Sequence, residues 1–456
     1  MSENGLGKNQ GGFTSSFGAI AAAAGSAIGL GNIWRFPYTV GQNGGGAFLL
    51  LYIAFVFLLG VPIMMSELAL GRRSRQDAVG AFHVLAPRHR SWMFVGFWGV
   101  LTTFLIYSFY SVVTGWTLDY VVLSCQGGLA DKSPAEVSQA FTDFSTGTFW
   151  PILYQVIFLV LTALVVMLGV QKGIEKTSKI LMPVLFVLML LLCVRSVTLP
   201  GAGEGLDFLF RPDFSKLTGT AVLSALGQAM FSLSIGLGVL ITYGAYVRKE
   251  DNLFKTSVII ASADTLIAIL SGIAIFPAVF AFGMSPASGP SLVYEVLPNV
   301  FNSMTGGQIF AIIFFVLLSI AALTSTISML EAVVAYAMKR FHMRRVPAVI
   351  CITGLLLVTG IVCTLSFGPL NNVKILGQSI FGFLDMLTAT YMLPLGAIGI
   401  VAFMGWYYAK SEARDELTNG GLLKARYFSV YYFIMKYLAP VALLAVLIAG
   451  IFGFGG

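Results

Sequence analysis

Apolar residues run along most of this chain for about twenty positions at a time, the length that the hydrocarbon core of a bilayer demands of a helix, and short polar segments separate the runs. Their limits lie near 17–39, 46–71, 92–124, 149–169, 177–197, 218–246, 254–283, 305–339, 346–366, 377–408 and 425–453. These predict about eleven membrane-spanning helices, because in lipid each segment must satisfy its own backbone amides and carbonyls.

Two runs depart from that rule. The first contains Gly25-Ser26-Ala27-Ile28-Gly29-Leu30-Gly31-Asn32-Ile33-Trp34-Arg35-Phe36-Pro37, and the sixth contains Gly227-Gln228-Ala229-Met230-Phe231-Ser232-Leu233-Ser234-Ile235-Gly236-Leu237-Gly238. Loosened backbone and a guanidinium are tolerated at membrane depth only inside protein or beside a water-filled cavity. An offset of five spans inverts the direction of crossing. Two broken helices at corresponding positions of inverted halves point to a midplane binding site in a secondary transporter. The same glycines would also suit close helix packing. Breaks free amides to meet an anion and carbonyls to meet a cation, a combination that fits a zwitterionic amino acid accompanied by small hard cations.

Composition agrees with the pattern. The chain is 57% hydrophobic and 10% charged, with a mean hydropathy of +0.87, against roughly 25% charged in soluble domains. Loops on one side hold nineteen Lys and Arg, among them Arg72, Arg73, Lys172, Arg248, Arg345 and Lys410, and the opposite loops hold five. By the positive-inside rule the N-terminus is cytoplasmic and, after an odd number of spans, the C-terminus outside. The net charge of +7 is then a topology signal and requires no nucleic-acid partner. Met1 to Ser16 is polar and lacks the apolar core of a cleavable signal peptide, so the first span is expected to stay and no soluble tail domain to follow the eleventh. Cys193, Cys351 and Cys363 fall within spans, where a Cys behaves as a small buried hydrophobe. Cys125 has no obvious partner, and His83, His89 and His342 form no cluster; neither a disulfide nor a metal centre is expected. No nucleophile or acid–base constellation suggests an enzyme.

Five blocks carry a specific resemblance: GSAIGLGNIWRFPY at 25–38, NGGGAF at 43–48, GQAMFSLSIGLG at 227–238, ITYGAYVRK at 241–249 and AALTSTIS at 321–328. From about Phe17 to Tyr437 the chain resembles the neurotransmitter:sodium symporter family, particularly its bacterial transporters of leucine and other hydrophobic amino acids. The resemblance implies an all-α membrane protein with a five-plus-five inverted-repeat fold, discontinuous helices one and six, and an added helix. Expected divisions are a cytoplasmic segment at 1–16, the first repeat at 17–200, the second at 201–410, and a cytoplasmic loop with helix eleven at 411–456. It also implies a sodium-coupled symporter in the bacterial plasma membrane, a monomer or weak dimer, importing a neutral, hydrophobic or aromatic L-amino acid by alternating access. A sensor of the same fold that binds without transport is the alternative.

Carried over to this sequence, the first of two sodium sites would use Ala27, Asn32, Ser232 and Asp264, with the substrate carboxylate as a further ligand. The second would use Gly25, Ile28, Ala321, Thr324 and Ser325. Gly29 stands where amine carriers place an acid, leaving room for the substrate carboxylate near Leu30, Gly31 and Tyr110. Ser26, Phe231 and Ser234 would surround the substrate ammonium and backbone. Ile106, Leu237, Ser325, Thr326 and Met329 would complete the cavity. Where chloride-dependent relatives have an Asn, this chain has Asp264, and Ala268 follows four residues later. A carboxylate there already supplies the charge that chloride would bring, so transport is expected to be chloride-independent, with Asp264 free to exchange a proton as its site empties. Arg35 and Asp385 resemble the outer gate. At the inner gate Gln10, Phe13 and Lys339 replace the family's Arg, Trp and Asp, while Tyr246 and Glu331 remain; packing and a different polar contact, involving Lys339, are expected to close it. Gly173 and Pro183 in span five have a spacing that some relatives use for unwinding and that equally suits a simple kink.

Overall fold

The computed structural model describes residues 12–129, 132–286, 293–302, 304–424 and 426–451; Gln10 lies outside the described residues. Among these residues, nine continuous helices are long and apolar enough to cross a membrane: Gly46–Ser74, Arg90–Cys125, Phe149–Met167, Val170–Val197, Leu253–Ala281, Gly307–Arg340, Arg345–Leu365, Ile380–Tyr407 and Phe428–Ala445. The remaining two crossings are the interrupted ones. Span one consists of Ser16–Ala27 and Gly31–Gln42, bent by 45°. Span six consists of Gly219–Ser232 and Val239–Gly244, neither half long enough to cross alone.

The predicted limits hold to within a few residues except at span five, which begins at Val170 with a wide π turn over Val170–Glu175. Gly173 is required there by close approach, since a Cβ would lie 2.0 Å from the Val165 carbonyl. Pro183 sits inside the continuous helix Lys176–Val197, so span five is helical across both residues. Some motif glycines do serve packing. A Cβ on Gly71 would lie 1.9 Å from the Ile241 carbonyl, and one on Gly244 would lie 2.5 Å from that of Leu68. Span two thus meets the second half of span six at backbone distance, as small residues permit.

Burial separates inner spans from outer ones. The most apolar window of span two is 61% buried, whereas that of span five is 28% buried; the former belongs to the centre and the latter faces lipid. Cys193 and Cys363 are buried as expected, but Cys351 is exposed on span nine because its stripe of that helix turns outward with Ile350 and Leu355. All four cysteines are free. The short helices Ala78–Leu85 and Lys410–Leu417 lie in the basic loops.

The N-terminal end of span one is fastened to span five. Thr14 donates to Glu175 through its amide at 2.8 Å and its hydroxyl at 2.6 Å, and Lys179 pairs with the same carboxylate at 2.6 Å. Gly18 lets the helix pass this group, for a Cβ there would lie 2.0 Å from Glu175 Oε1.

Candidate functional site

Span one leaves helical geometry at Ile28, whose ψ of 98° is extended, and resumes it at Gly31. Its own sequence stabilises the break: Asn32 Oδ1 accepts the Gly29 N–H at 3.1 Å, satisfying a donor that the interrupted helix leaves orphaned. Span six breaks after Ser232, where Ser234, Gly236 and Gly238 take left-handed backbone with φ of 56°, 82° and 70°. Only glycine fits at 236, because a Cβ would also lie 2.8 Å from the Leu393 carbonyl. The freed Gly236 N–H donates to Glu67 Oε1 at 2.7 Å, and Thr103 holds the Leu237 carbonyl at 2.7 Å. Glu67 is fully buried in span two. Sequence reasoning passed over it, although an acid within an apolar span is itself a signal.

The two breaks face one another. Gln228 Nε2 donates to the Gly31 carbonyl at 2.9 Å, Asn32 Nδ2 to Ser232 Oγ at 3.0 Å, and Ser234 Oγ to the Ser26 carbonyl at 3.1 Å. Asp264 of span seven closes this cluster. Its Oδ1 accepts from Asn32 Nδ2 and from Ser232 Oγ, each at 2.8 Å, and its Oδ2 accepts from the Tyr52 hydroxyl at 2.9 Å. Asp264, Asn32, Ser232, Tyr52 and the neighbouring Ala27 are all buried, as is Ala268. A dry carboxylate ringed by an amide and hydroxyls can accept a small hard cation.

A second group of oxygens joins spans one and eight. Thr324 Oγ1 lies 3.4 Å from the Ile28 carbonyl and 3.0 Å from that of Ala321, and Ser325 Oγ lies 3.5 Å from the Gly25 carbonyl. A hydroxyl spent only on its own helix would contact just span eight; these also reach the break in span one. The donor set contains oxygen alone, which suits sodium.

Between the two groups the broken segment Gly29 to Gly31 packs closely against Tyr110, Ser325 and Phe231. The Leu30 N–H donates to the Tyr110 hydroxyl at 3.1 Å. A Cβ on Gly29 would lie 2.1 Å from Ser325 Oγ, and one on Gly31 would lie 3.2 Å from the Phe231 ring. Ile106, Leu237, Thr326 and Met329 are buried, and Thr326 spends its hydroxyl on the Leu323 carbonyl at 3.0 Å.

Toward the loop that follows span one, the Arg35 guanidinium lies 4.4 Å from the Phe231 ring centroid. It interacts electrostatically with Asp385, without a contact ion pair between them among the described residues. Toward the loop that follows span six, a polar latch is formed. Glu331 accepts the Tyr246 hydroxyl at 2.7 Å and is held by Arg345 through two hydrogen bonds at 2.6 and 2.9 Å. Phe13 packs edge-on against Tyr243 and Tyr246 at 5.9 and 6.0 Å. Lys339 is not brought to this latch; it stands near Asp77 in the loop between spans two and three. Burial pushes the Asp77 carboxyl above its ordinary range, and Lys339 and the amides of Gly80 and Val79 oppose that shift. Arg345 gave no sequence signal beyond its place in a basic loop, because its partner is set by how spans eight and nine pack. Arg345→Ala would leave Glu331 buried without its cation, at a cost of about 3–5 kcal/mol. It should therefore impair uptake far more than Lys339→Ala, as initial rates in proteoliposomes will check.

Two broken helices that meet at the centre of a bundle of apolar spans, with clusters of buried oxygens beside the breaks, define a multi-pass membrane transporter. A family model described as the sodium:neurotransmitter symporter family matches residues 10–142 and 136–455. The chain is 41% identical over 95% of its length to 96% of an uncharacterized sodium-dependent transporter of Bacillus subtilis. It is 26% identical over 95% of its length to 68% of the sodium-dependent dopamine transporter of Bos taurus. Among solved structures, that of MhsT in complex with L-phenylalanine aligns with a TM-score of 0.89 and 44% identity, covering 96% of this chain and 99% of that one. The chain belongs to the sodium:neurotransmitter symporter family: it is a sodium-dependent transporter with the five-plus-five inverted-repeat fold, and not an enzyme.

Proposed function

We propose that the protein imports a neutral L-amino acid with a hydrophobic or aromatic side chain, driven by two sodium ions and independent of chloride. The break at Gly29, where no side chain fits, linked through Asn32 to the buried carboxylate of Asp264, carries this reading. The substrate supplies its own carboxylate beside Leu30, Gly31 and Tyr110. Its ammonium meets carbonyls at the breaks near Phe231 and Ser234, with Ser26 alongside. One sodium ion binds Ala27, Asn32, Ser232, Asp264 and the substrate carboxylate; the second binds Gly25, Ile28, Ala321, Thr324 and Ser325. Binding the cation offsets the cost of holding a carboxylate near the bilayer midplane, which couples the two fluxes. Asp264 provides beside the first ion the negative charge that chloride would otherwise bring. Arg35 and Asp385 close over Phe231 on the outer side, and Glu331, Arg345 and Tyr246 latch the inner side. The basic loops face the cytoplasm of a bacterial cell, and the protein works as a monomer or weak dimer.

Bound phenylalanine in MhsT, a relative at 44% identity, supports the choice of substrate class. Uncharged walls support it too, since an ionised side chain would lose hydration there without gaining a partner. Proteoliposomes with an inward sodium gradient should accumulate labelled phenylalanine, equally well when gluconate replaces chloride. In competition, Leu, Ile, Met, Phe, Tyr and Trp should displace the label at concentrations about tenfold or more below those needed for Asp, Glu, Lys or Arg, a difference of about 1.4 kcal/mol. Binding without accumulation would instead identify a sensor.

A further inference from the structure

The short helix Lys410–Leu417, in the loop between spans ten and eleven, sorts its charges onto two sides. Glu416 ion-pairs with Arg72 and Arg73, and Asp415 with Arg73 at 2.9 Å, at the end of span two. Lys410 and Arg414, one turn apart, face span eleven instead. The Arg414 guanidinium lies 6.0 Å from the Phe428 ring centroid, and Lys410 Nζ lies 5.0 Å from that of Tyr432.

Phe428, Tyr432 and Lys436 follow at intervals of four along span eleven and so share one stripe of its surface. Lys436 extends the row of positive charge into the membrane, about 12 Å beyond the start of the helix at 1.5 Å per residue, with its Nζ 5.6 Å from the Tyr437 ring centroid. Among the described residues, Lys410, Arg414 and Lys436 form no ion pair: Asp415 and Glu416 turn to Arg72 and Arg73, and Glu412 lies beside Tyr408. An ammonium inside an apolar span calls for an anion or a route to the headgroups. The seam is fixed in place: the Tyr432 hydroxyl donates to the Gly405 carbonyl of span ten at 3.2 Å, and a Cβ on Gly405 would lie 3.1 Å from Lys436 Cα. Trp406 and Tyr437 are exposed beside it, at 59% and 54%, as aromatic residues are at the level of lipid headgroups.

We propose that this seam between spans ten and eleven binds the phosphate of an anionic phospholipid. Its headgroup lies among Lys410, Arg414 and Lys436, and an acyl chain follows the exposed side of span eleven at Phe433 and Tyr437. Three cations without an ion-pair partner among the described residues, arranged from the loop into the apolar zone, match a ligand that is anionic at one end and hydrocarbon at the other.

The full-length protein can be reconstituted in nanodiscs of equal phosphatidylglycerol and phosphatidylcholine, and its retained lipids counted by native mass spectrometry. Retained phosphatidylglycerol should exceed phosphatidylcholine by about fivefold, and Lys410→Gln/Lys436→Leu should bring the ratio to about one. Lys436→Arg should keep the preference. Lys410→Gln alone, on an exposed residue whose change cannot threaten folding, should lower it partway. An unchanged ratio in both Gln-containing variants, or no preference in the wild type, would overturn the proposal. Displacement of phosphatidylglycerol by millimolar inorganic phosphate would overturn it as well, in favour of a free-phosphate site.

Discussion

Asp264→Asn should lower sodium-driven uptake in chloride-free medium by about a hundredfold, about 2.8 kcal/mol, and added chloride should restore part of it. The carboxylate is fully buried and receives Asn32, Ser232 and Tyr52. Those partners are neutral, so the change removes the formal negative charge that faces the cation. In a site of low effective dielectric, opposite charges a few ångströms apart attract by several kcal/mol, of which desolvation returns a part. Asn preserves the shape, so the loss isolates charge from packing. Uptake by the variant, measured in proteoliposomes with chloride and with gluconate, decides the matter. Undiminished uptake in gluconate would contradict the assignment of Asp264 as the substitute for chloride.

Gly29→Asp should abolish amino-acid uptake. Its Cβ alone would lie 2.1 Å from Ser325 Oγ and 3.2 Å from the Tyr110 hydroxyl, and overpacking of this kind costs about 1–3 kcal/mol. The added carboxylate would also compete with the carboxylate that the substrate is proposed to bring to this break. Two anions held at one buried site repel strongly where water is excluded. Gly227→Ala is the matching control: a Cβ there meets nothing within 4 Å, so uptake should stay near that of the wild type. Measuring phenylalanine uptake and the thermal unfolding midpoint of both variants separates loss of the site from loss of the fold. Substantial phenylalanine uptake by Gly29→Asp at a normal midpoint would refute the proposed placement of the substrate carboxylate.

Much of the molecule was legible in the sequence because its causes are local. Uninterrupted apolar length marks a span wherever it occurs, and glycines with an Asn and an Arg inside such a run mark a break without knowledge of the neighbours. Span five was misjudged at its start, since the turn at Val170–Glu175 is stabilised by Gly173 against span four and by Thr14 and Lys179 on Glu175, contacts that no window of sequence contains. The inner latch was half legible. Tyr246 and Glu331 are visible in the sequence, and the expected polar contact involves Lys339, whereas Glu331 pairs with Arg345 on the next span.

The sequence by itself determined the apolar spans, the two interrupted helices, the alternation of basic and less basic loops and the motif blocks that mark the family, all properties of composition and spacing within single segments. Tertiary structure alone decided which freed backbone group meets which side chain: Glu67 on the Gly236 amide, Gln228 on the Gly31 carbonyl, and Thr324 and Ser325 on the carbonyls of span one. The reason is physical. A broken helix must satisfy its orphaned amides and carbonyls with groups from other spans, and only the packing of those spans brings the partners within hydrogen-bonding distance.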